Sequence, residues 1–186
     1  MANGSEISEW GYLTLVSYIP GPLSAFLSNM RRVLPGVDNP QPHVTILPPR
    51  PLQVPVETAS TQARVILQQF PVFDVELSDV GYFSETNFLY LEVMDRESVL
   101  HRLHAALNTG HLAHTEKFDF RPHLTLGGPV PEEALVSSQH QTEAAWRSGR
   151  CSPRFTISEV VCLWSQQLGL GSSRHMAADA TTNRTY

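Results

Sequence analysis

The sequence predicts an α+β fold in which two lobes share one cleft, and three observations support this prediction. Segments that are typical of strands alternate along the chain with segments whose apolar residues recur every three or four positions, as in helices. The order of these segments in the first half returns in the second half, and each half contains the same short motif at the same place. We therefore interpret residues 1–186 as one internally duplicated domain, with pseudo-repeats at about 11–83 and 87–168.

The first half has clear boundaries between its elements. Residues 12–19 are rich in β-branched and aromatic residues and stop at a Pro-Gly-Pro sequence, which predicts a strand. The apolar positions that follow draw one stripe on a helix that must end by Pro35-Gly36. The rest of this half is predicted to contain an extended segment at 43–47, a helix at 57–70 and a strand at 72–77.

The second half repeats this order. Asp95 is a suitable N-cap for a helix that ends near residues 108–110, and Pro131 is placed for the first turn of another helix. The remaining predicted elements are strands at 88–93, 155–158 and 160–164 and an extended segment at 122–126. Beyond Leu168 the composition turns to Gly, Ser, Ala and Thr, so we predict a loose tail over 169–186.

The repeated motif contains the candidate catalytic residues. Residues 42–49 read PHVTILPP and residues 122–129 read PHLTLGGP, so Pro, His, Thr and the final Pro agree at identical spacing. Residues i and i+2 of a strand point to the same face. His43 and Thr45 should therefore project together, as should His123 and Thr125, and the two pairs should face each other across the cleft.

Two opposed imidazoles supply the acid and the base that cleavage of a phosphodiester needs, without a metal ion. One neutral ring can take a proton from water while one protonated ring gives a proton to the leaving oxygen. The two threonine hydroxyls can donate hydrogen bonds to the non-bridging phosphate oxygens, where negative charge develops. We therefore interpret His43, Thr45, His123 and Thr125 as catalytic.

With these motifs, the chain resembles the 2H phosphoesterase superfamily, also called the 2'-5' RNA ligase-like family, over roughly residues 11–168. The resemblance implies two pseudo-symmetric lobes, each an antiparallel sheet with outer helices, around a central cleft. It also implies hydrolysis of 2',3'-cyclic phosphates on nucleotides or RNA ends, without a metal or other cofactor. His43 and His123 then form the acid/base pair, with His43 preferred as the acid.

Four further residues are candidates for substrate binding. Many relatives carry a basic residue shortly after the second motif, where this chain has Gly127-Gly128, and Arg50 or Arg121 is the candidate to supply that charge. Phe83 lies at the hairpin where relatives often place an aromatic residue near the base. Trp164 is the fourth candidate, although we favour a place in the core for it. The final strand that the family often has is poorly matched by the polar residues after Ser172.

Composition and patterning limit the alternatives. The formal charge of −5 argues against a protein that coats nucleic acid, so we expect the partner to be a nucleotide or an RNA terminus with a cyclic phosphate. No signal segment or membrane-length apolar run is evident, and we expect a cytoplasmic monomer that binds no membrane.

Three alternatives stay open: action on 2'-5' linkages or another small cyclic phosphate, a non-catalytic nucleotide or RNA-binding module, and a zinc site built on the clustered histidines. The last is disfavoured because no Cys or carboxylate cluster completes it; its histidines are His101, His104, His111 and His114.

Overall fold

The computed structural model describes residues 9–36, 41–166 and 174–178. The strands are β1 (Tyr12–Tyr18), β2 (His43–Pro51), β3 (Phe73–Tyr82), β4 (Leu89–Met94), β5 (His123–Gly127), β6 (Arg154–Ile157), β7 (Val160–Ser165) and β8 (Arg174–Ala178). The helices are α1 (Gly21–Arg31), α2 (Val56–Leu67), α3 (Val99–Leu107) and α4 (Leu135–Arg147), with short 3₁₀ turns at Gly110–Leu112 and Glu132–Ala134.

Two four-stranded antiparallel sheets form the framework, and the α+β prediction is confirmed. The first sheet has the order β2-β1-β7-β8 and the second has the order β5-β4-β3-β6. Each HxT motif therefore lies on an edge strand, and its histidine is the first residue of that strand. An edge position suits the prolines that precede the two histidines, because proline has no N–H to donate to a neighbouring strand. The two edge strands, β2 and β5, contact each other.

Each sheet takes strands from both halves of the sequence. β3 comes from the first half but pairs with β4 in the second sheet, while β7 comes from the second half and pairs with β1. The lobes therefore differ from the predicted bounds of 11–83 and 87–168. The reason is local: the turn between β3 and β4 is closed by a hydrogen bond from the Phe83 N–H to the Phe88 carbonyl, and strands joined by so short a turn pair with each other.

The last described strand corrects the prediction of a loose tail. Residues 174–178 form β8, which pairs with β7, although the sequence had not predicted a final strand. Backbone pairing needs no apolar pattern, and it covers the open edge that the largely buried β7 would otherwise present. The rest of the predicted tail, 169–173 and 179–186, lies outside the described residues.

Helices pack against the strands that hold the motifs. α1 contacts β5 and α3 contacts β2, so each motif strand is supported by a helix from the opposite half of the sequence. The N-cap of α3 is Ser98 and not the predicted Asp95, because the helix begins only at Val99. The carboxylate oxygens of Asp95 still accept hydrogen bonds from the backbone N–H groups of Val99 and Leu100 at 2.7 and 2.8 Å. Cys162 is buried in the core, and burial raises the pKa of its thiol to about 11.

A buried polar network anchors β2 from behind. The side chain of Arg50 is 1% exposed; its Nη2 donates to Glu116 Oε1 at 2.6 Å, and its Nη1 donates to Asn108 Oδ1 and to the Leu112 carbonyl at 2.7 Å each. His104 joins the network with Nε2 3.3 Å from the Glu116 carboxylate. Since its Nη donors are already engaged with residues that follow α3, Arg50 has a structural role. This corrects its prediction as a substrate-binding residue.

We expect Arg50→Ala to lower the free energy of unfolding by about 3–5 kcal/mol, because it leaves the largely buried carboxylate of Glu116 without its partner. Urea denaturation measures this change. The matched control is Arg154→Ala, which removes a 61% exposed partner of Glu76 and should cost at most about 1 kcal/mol. Equal losses in the two variants would contradict an anchoring role for Arg50.

Candidate active site

The two HxT motifs are presented in the same way. On β2, His43 and Thr45 are partly exposed while Val44 and Ile46 are fully buried. The same alternation recurs on β5, where His123 and Thr125 are the partly exposed pair. The expected same-face arrangement of each pair therefore agrees with the burial pattern, and the contact between β2 and β5 puts the two pairs on adjoining strands.

Both imidazoles are held by equivalent hydrogen bonds. His43 Nδ1 lies 2.8 Å from the carbonyl oxygen of Gln41, and His123 Nδ1 lies 2.7 Å from that of Arg121. A carbonyl oxygen can only accept, so Nδ1 of each ring carries the hydrogen. Nε2 is then the nitrogen left for chemistry: it accepts a hydrogen bond in the neutral ring and donates one in the protonated ring.

Burial is the main electrostatic influence on both histidines. Desolvation lowers the pKa of His43 and of His123 below the usual value, partly opposed by the hydrogen bond at Nδ1. The charge of Arg31 further lowers the pKa of His43. The charges of Arg121 and of His43 further lower the pKa of His123. The two imidazoles thus sense each other, and one proton shared by the pair is favoured over two.

An aromatic and charged cluster surrounds His123. Phe83 stacks on Tyr90 with ring centroids 4.3 Å apart and meets the His123 ring edge-on at 4.9 Å. The guanidinium of Arg121 lies 5.0 Å from the Tyr90 ring centroid, and its side chain pairs with Glu92. Two sequence candidates, Phe83 and Arg121, are therefore brought beside His123. Sequence reasoning missed Tyr90 and Glu92, although they are the register partners of Thr125 and His123 on β4.

Arg31 is a second residue that sequence reasoning missed. It lies on α1, is 5% exposed, and its Nε donates to the Leu126 carbonyl of β5 at 3.3 Å. Its charge also acts on His43, so this side chain connects the two motif strands electrostatically. The sequence did contain a signal for this residue: Arg31 lies four residues after Leu27, so a cation falls on the apolar face of the helix.

Trp164 lies away from the two motifs. It pairs with Leu13 of β1, whereas His43 pairs with Tyr18 of the same strand. Leu13 and Tyr18 are five residues apart, which corresponds to about 17 Å along the strand. The indole N–H of Trp164 donates to the carbonyl of Trp10 at 2.7 Å, and its ring packs against the core. This position fits the favoured interpretation of Trp164 as a core residue. It corrects the alternative prediction that Trp164 binds the substrate.

Two of the four clustered histidines, His101 and His104, contact protein groups through their rings. His104 Nδ1 donates to the Ile46 carbonyl at 2.9 Å, and the ring stacks on Phe120 with centroids 3.9 Å apart. His101 meets the same phenyl ring edge-on. Within residues 9–36, 41–166 and 174–178, no three or more His, Cys, Asp or Glu side chains are grouped so that they could hold a metal ion. The helices of this described part include none with the length and apolar character needed to cross a membrane.

Comparison with known families matches residues 19–168 to the 2'-5' RNA ligase superfamily. The chain belongs to this superfamily. The match covers most of the chain and includes both HxT motifs, and it agrees with the resemblance to 2H phosphoesterases seen in the sequence.

Individual proteins are also similar to this chain. A Geobacillus kaustophilus protein named as a phosphoesterase is 32% identical over 102 residues, which cover 53% of this chain and 58% of that protein. Apo LigT of Escherichia coli has the same fold, with a TM-score of 0.61, 16% identity, and coverage of 91% of this chain and 95% of LigT. Usb1 of Kluyveromyces marxianus, solved with uridine monophosphate, has a TM-score of 0.54 and 9% identity over 90% of this chain and 99% of Usb1.

The lowered pKa values of His43 and His123 predict that the protein loses stability in acid. In the unfolded chain these histidines have a pKa of about 6.5, so below roughly pH 7 the unfolded chain binds more protons than the folded chain. The free energy of unfolding should therefore fall as the pH is lowered from 7.5 to 5.5. Replacing both residues, His43→Gln with His123→Gln, should make this fall smaller. Urea denaturation across that pH range measures it. A double variant of the exposed His111 and His140 is the control, and a wild-type slope in both variants would contradict the prediction.

Proposed function

We propose that this chain is a phosphoesterase that hydrolyses 2',3'-cyclic phosphodiesters of nucleotides or RNA ends by a metal-independent mechanism with two histidines. The observation that carries the proposal is the contact between two edge strands that each present an imidazole with Nδ1 tied to a carbonyl and Nε2 left for proton transfer. Membership of the superfamily and the phosphoesterase name of the Geobacillus relative support the reaction class. LigT with 3'-AMP and Usb1 with uridine monophosphate support a nucleotide as the ligand.

In the proposed reaction, neutral His123 removes a proton from water and the resulting oxygen attacks phosphorus. The bond from phosphorus to one ribose oxygen breaks, and protonated His43 donates its proton to that oxygen. Cations lower the pKa of both rings, Arg31 for His43 and Arg121 for His123, so the assignment of His43 as the acid follows the family resemblance. A proton passed back from His123 to His43 through solvent restores the starting state.

The neighbouring side chains have complementary roles in this proposal. Thr45 and Thr125 donate hydrogen bonds to the non-bridging phosphate oxygens as negative charge builds on them. The partly exposed Arg121 adds positive charge beside His123. Phe83, stacked on Tyr90, offers a flat surface for the base of the terminal nucleotide.

We expect His43→Ala and His123→Ala each to lower kcat on 2',3'-cyclic nucleotides by about 10²–10⁴-fold, because each removes one proton-transfer group. Product analysis by chromatography in the presence of EDTA measures the rate. The control is His111→Ala, which alters an exposed histidine outside the motifs. Activity that EDTA abolishes and zinc restores would contradict the mechanism. Binding without turnover on a broad panel of phosphodiesters would instead favour the nucleotide-binding module.

A separate expectation concerns the base. Phe83→Ala should lower kcat/KM by about 5- to 150-fold, since base stacking on an aromatic ring contributes about 1–3 kcal/mol. Phe83→Trp should retain most of the activity. Phe118→Ala, which alters an exposed aromatic side chain, is the control. Steady-state kinetics on one cyclic nucleotide compare the three variants, and wild-type kinetics for Phe83→Ala would exclude the stacking role.

A further inference from the structure

A polar cavity lies beside His43 and has no role in the reaction described above. Its volume is about 410 Å³, within the range of about 300–1,000 Å³ that is usual for ligand pockets. Its walls come from the end of β1, the first turn of α1, the residue Gln41 and the connection between β6 and β7. Two of these wall residues also contact His43: the Gln41 carbonyl accepts its Nδ1 hydrogen at 2.8 Å, and the Tyr18 ring meets it edge-on at 6.1 Å. The cavity therefore adjoins the candidate active site on the His43 side.

The chemistry of the cavity selects against a phosphate group. Among the residues that the structure describes, no Lys or Arg lines it, and its polar side chains are mainly hydroxyls, with an amide and one carboxylate; they belong to Ser17, Tyr18, Ser24, Gln41, Thr156, Ser158 and Glu159. Ser17 is only 3% exposed, so its hydroxyl has little access to bulk water. Burial raises the pKa of Tyr18, which keeps its hydroxyl protonated near neutral pH. Such a set of donors and acceptors suits a neutral partner with several hydroxyl and amino groups, such as a nucleoside.

The two sides of the site differ chemically, and this difference predicts which part of the substrate binds on each side. The stacked Phe83 and Tyr90 and the cation Arg121 lie beside His123, whereas the uncharged hydroxyl groups lie beside His43. From this we infer that the cavity binds the nucleoside that precedes the terminal, cyclic-phosphate-bearing nucleotide. The preferred substrate is then an RNA end rather than a mononucleotide. This inference rests on the proposed function, because it assumes that the terminal base occupies the Phe83 side.

The experiment compares two substrates of the intact chain: adenosine 2',3'-cyclic phosphate and the dinucleotide ApA ending in a 2',3'-cyclic phosphate. Wild type should prefer the dinucleotide by about tenfold in kcat/KM, the effect of one or two additional hydrogen bonds. Ser24→Phe, which fills the cavity, should remove this preference and leave kcat/KM for the mononucleotide within about twofold. Ser28→Phe is the matched control, because Ser28 lies one turn further along α1 and does not line the cavity. Ser158→Phe, on the exposed connection before β7, is a second filling variant in case Ser24→Phe does not fold.

The possible outcomes separate the two proposals. Equal kcat/KM for both substrates in wild type, or a preference that survives in the filling variants, overturns the cavity proposal and leaves the proposed function intact. No turnover of either substrate by wild type defeats the proposed function. In that case calorimetric titration with ApA carrying a 2'-phosphate and with adenosine 2'-phosphate decides the cavity proposal. Tighter binding of the dinucleotide that Ser24→Phe abolishes supports it, and equal binding overturns it.

Discussion

The contact between β2 and β5 is the constraint on which the rest of the site depends. Both strands are sheet edges, and their meeting brings two partly buried imidazoles into each other's electric field. In low-dielectric surroundings like charges repel more strongly than in water, so the pair favours one proton over two. A single shared proton is the state that an acid/base pair needs before turnover. The supporting elements, α1 behind β5 and the Arg50 network behind β2, hold these two edge strands in place.

The central part of this arrangement could be predicted from the sequence because it depends on short-range rules. Strand parity places His43 with Thr45 and His123 with Thr125, and the repeat places the two motifs in equivalent positions. The role of Arg50 could not be predicted in the same way. Its partner Glu116 is 66 residues away, and nothing in the local pattern distinguishes an arginine that is buried in a network from one that faces a ligand. Strand β8 was missed for a related reason, since pairing through the backbone leaves little trace in the side-chain pattern.

Close backbone packing explains Gly128, the second of the two glycines at the end of the repeated motif. Gly128 has φ +148°, and a Cβ atom there would lie 2.7 Å from the Phe88 Cα atom. A Cβ on Gly36, which follows α1, would lie 1.6 Å from the Gly128 carbonyl oxygen. The chain segments are therefore too close for side chains at these positions, and a basic residue at Gly128 would not fit. Positive charge reaches this end of β5 from Arg31 instead, whose Nε donates to the Leu126 carbonyl.

The duplication thus leaves the two motifs alike but their surroundings different. Opposite His43 on the neighbouring strand is Tyr18, whereas opposite His123 is Glu92, which pairs with Arg121. Cationic neighbours lower the pKa of both rings, but a cation, Arg121, directly precedes the motif of His123, and an aromatic cluster surrounds this ring. A fully symmetric pair would have no preferred direction for moving a proton. Because the neighbours differ, the two histidines can take different parts in one reaction while their strands keep the same local geometry.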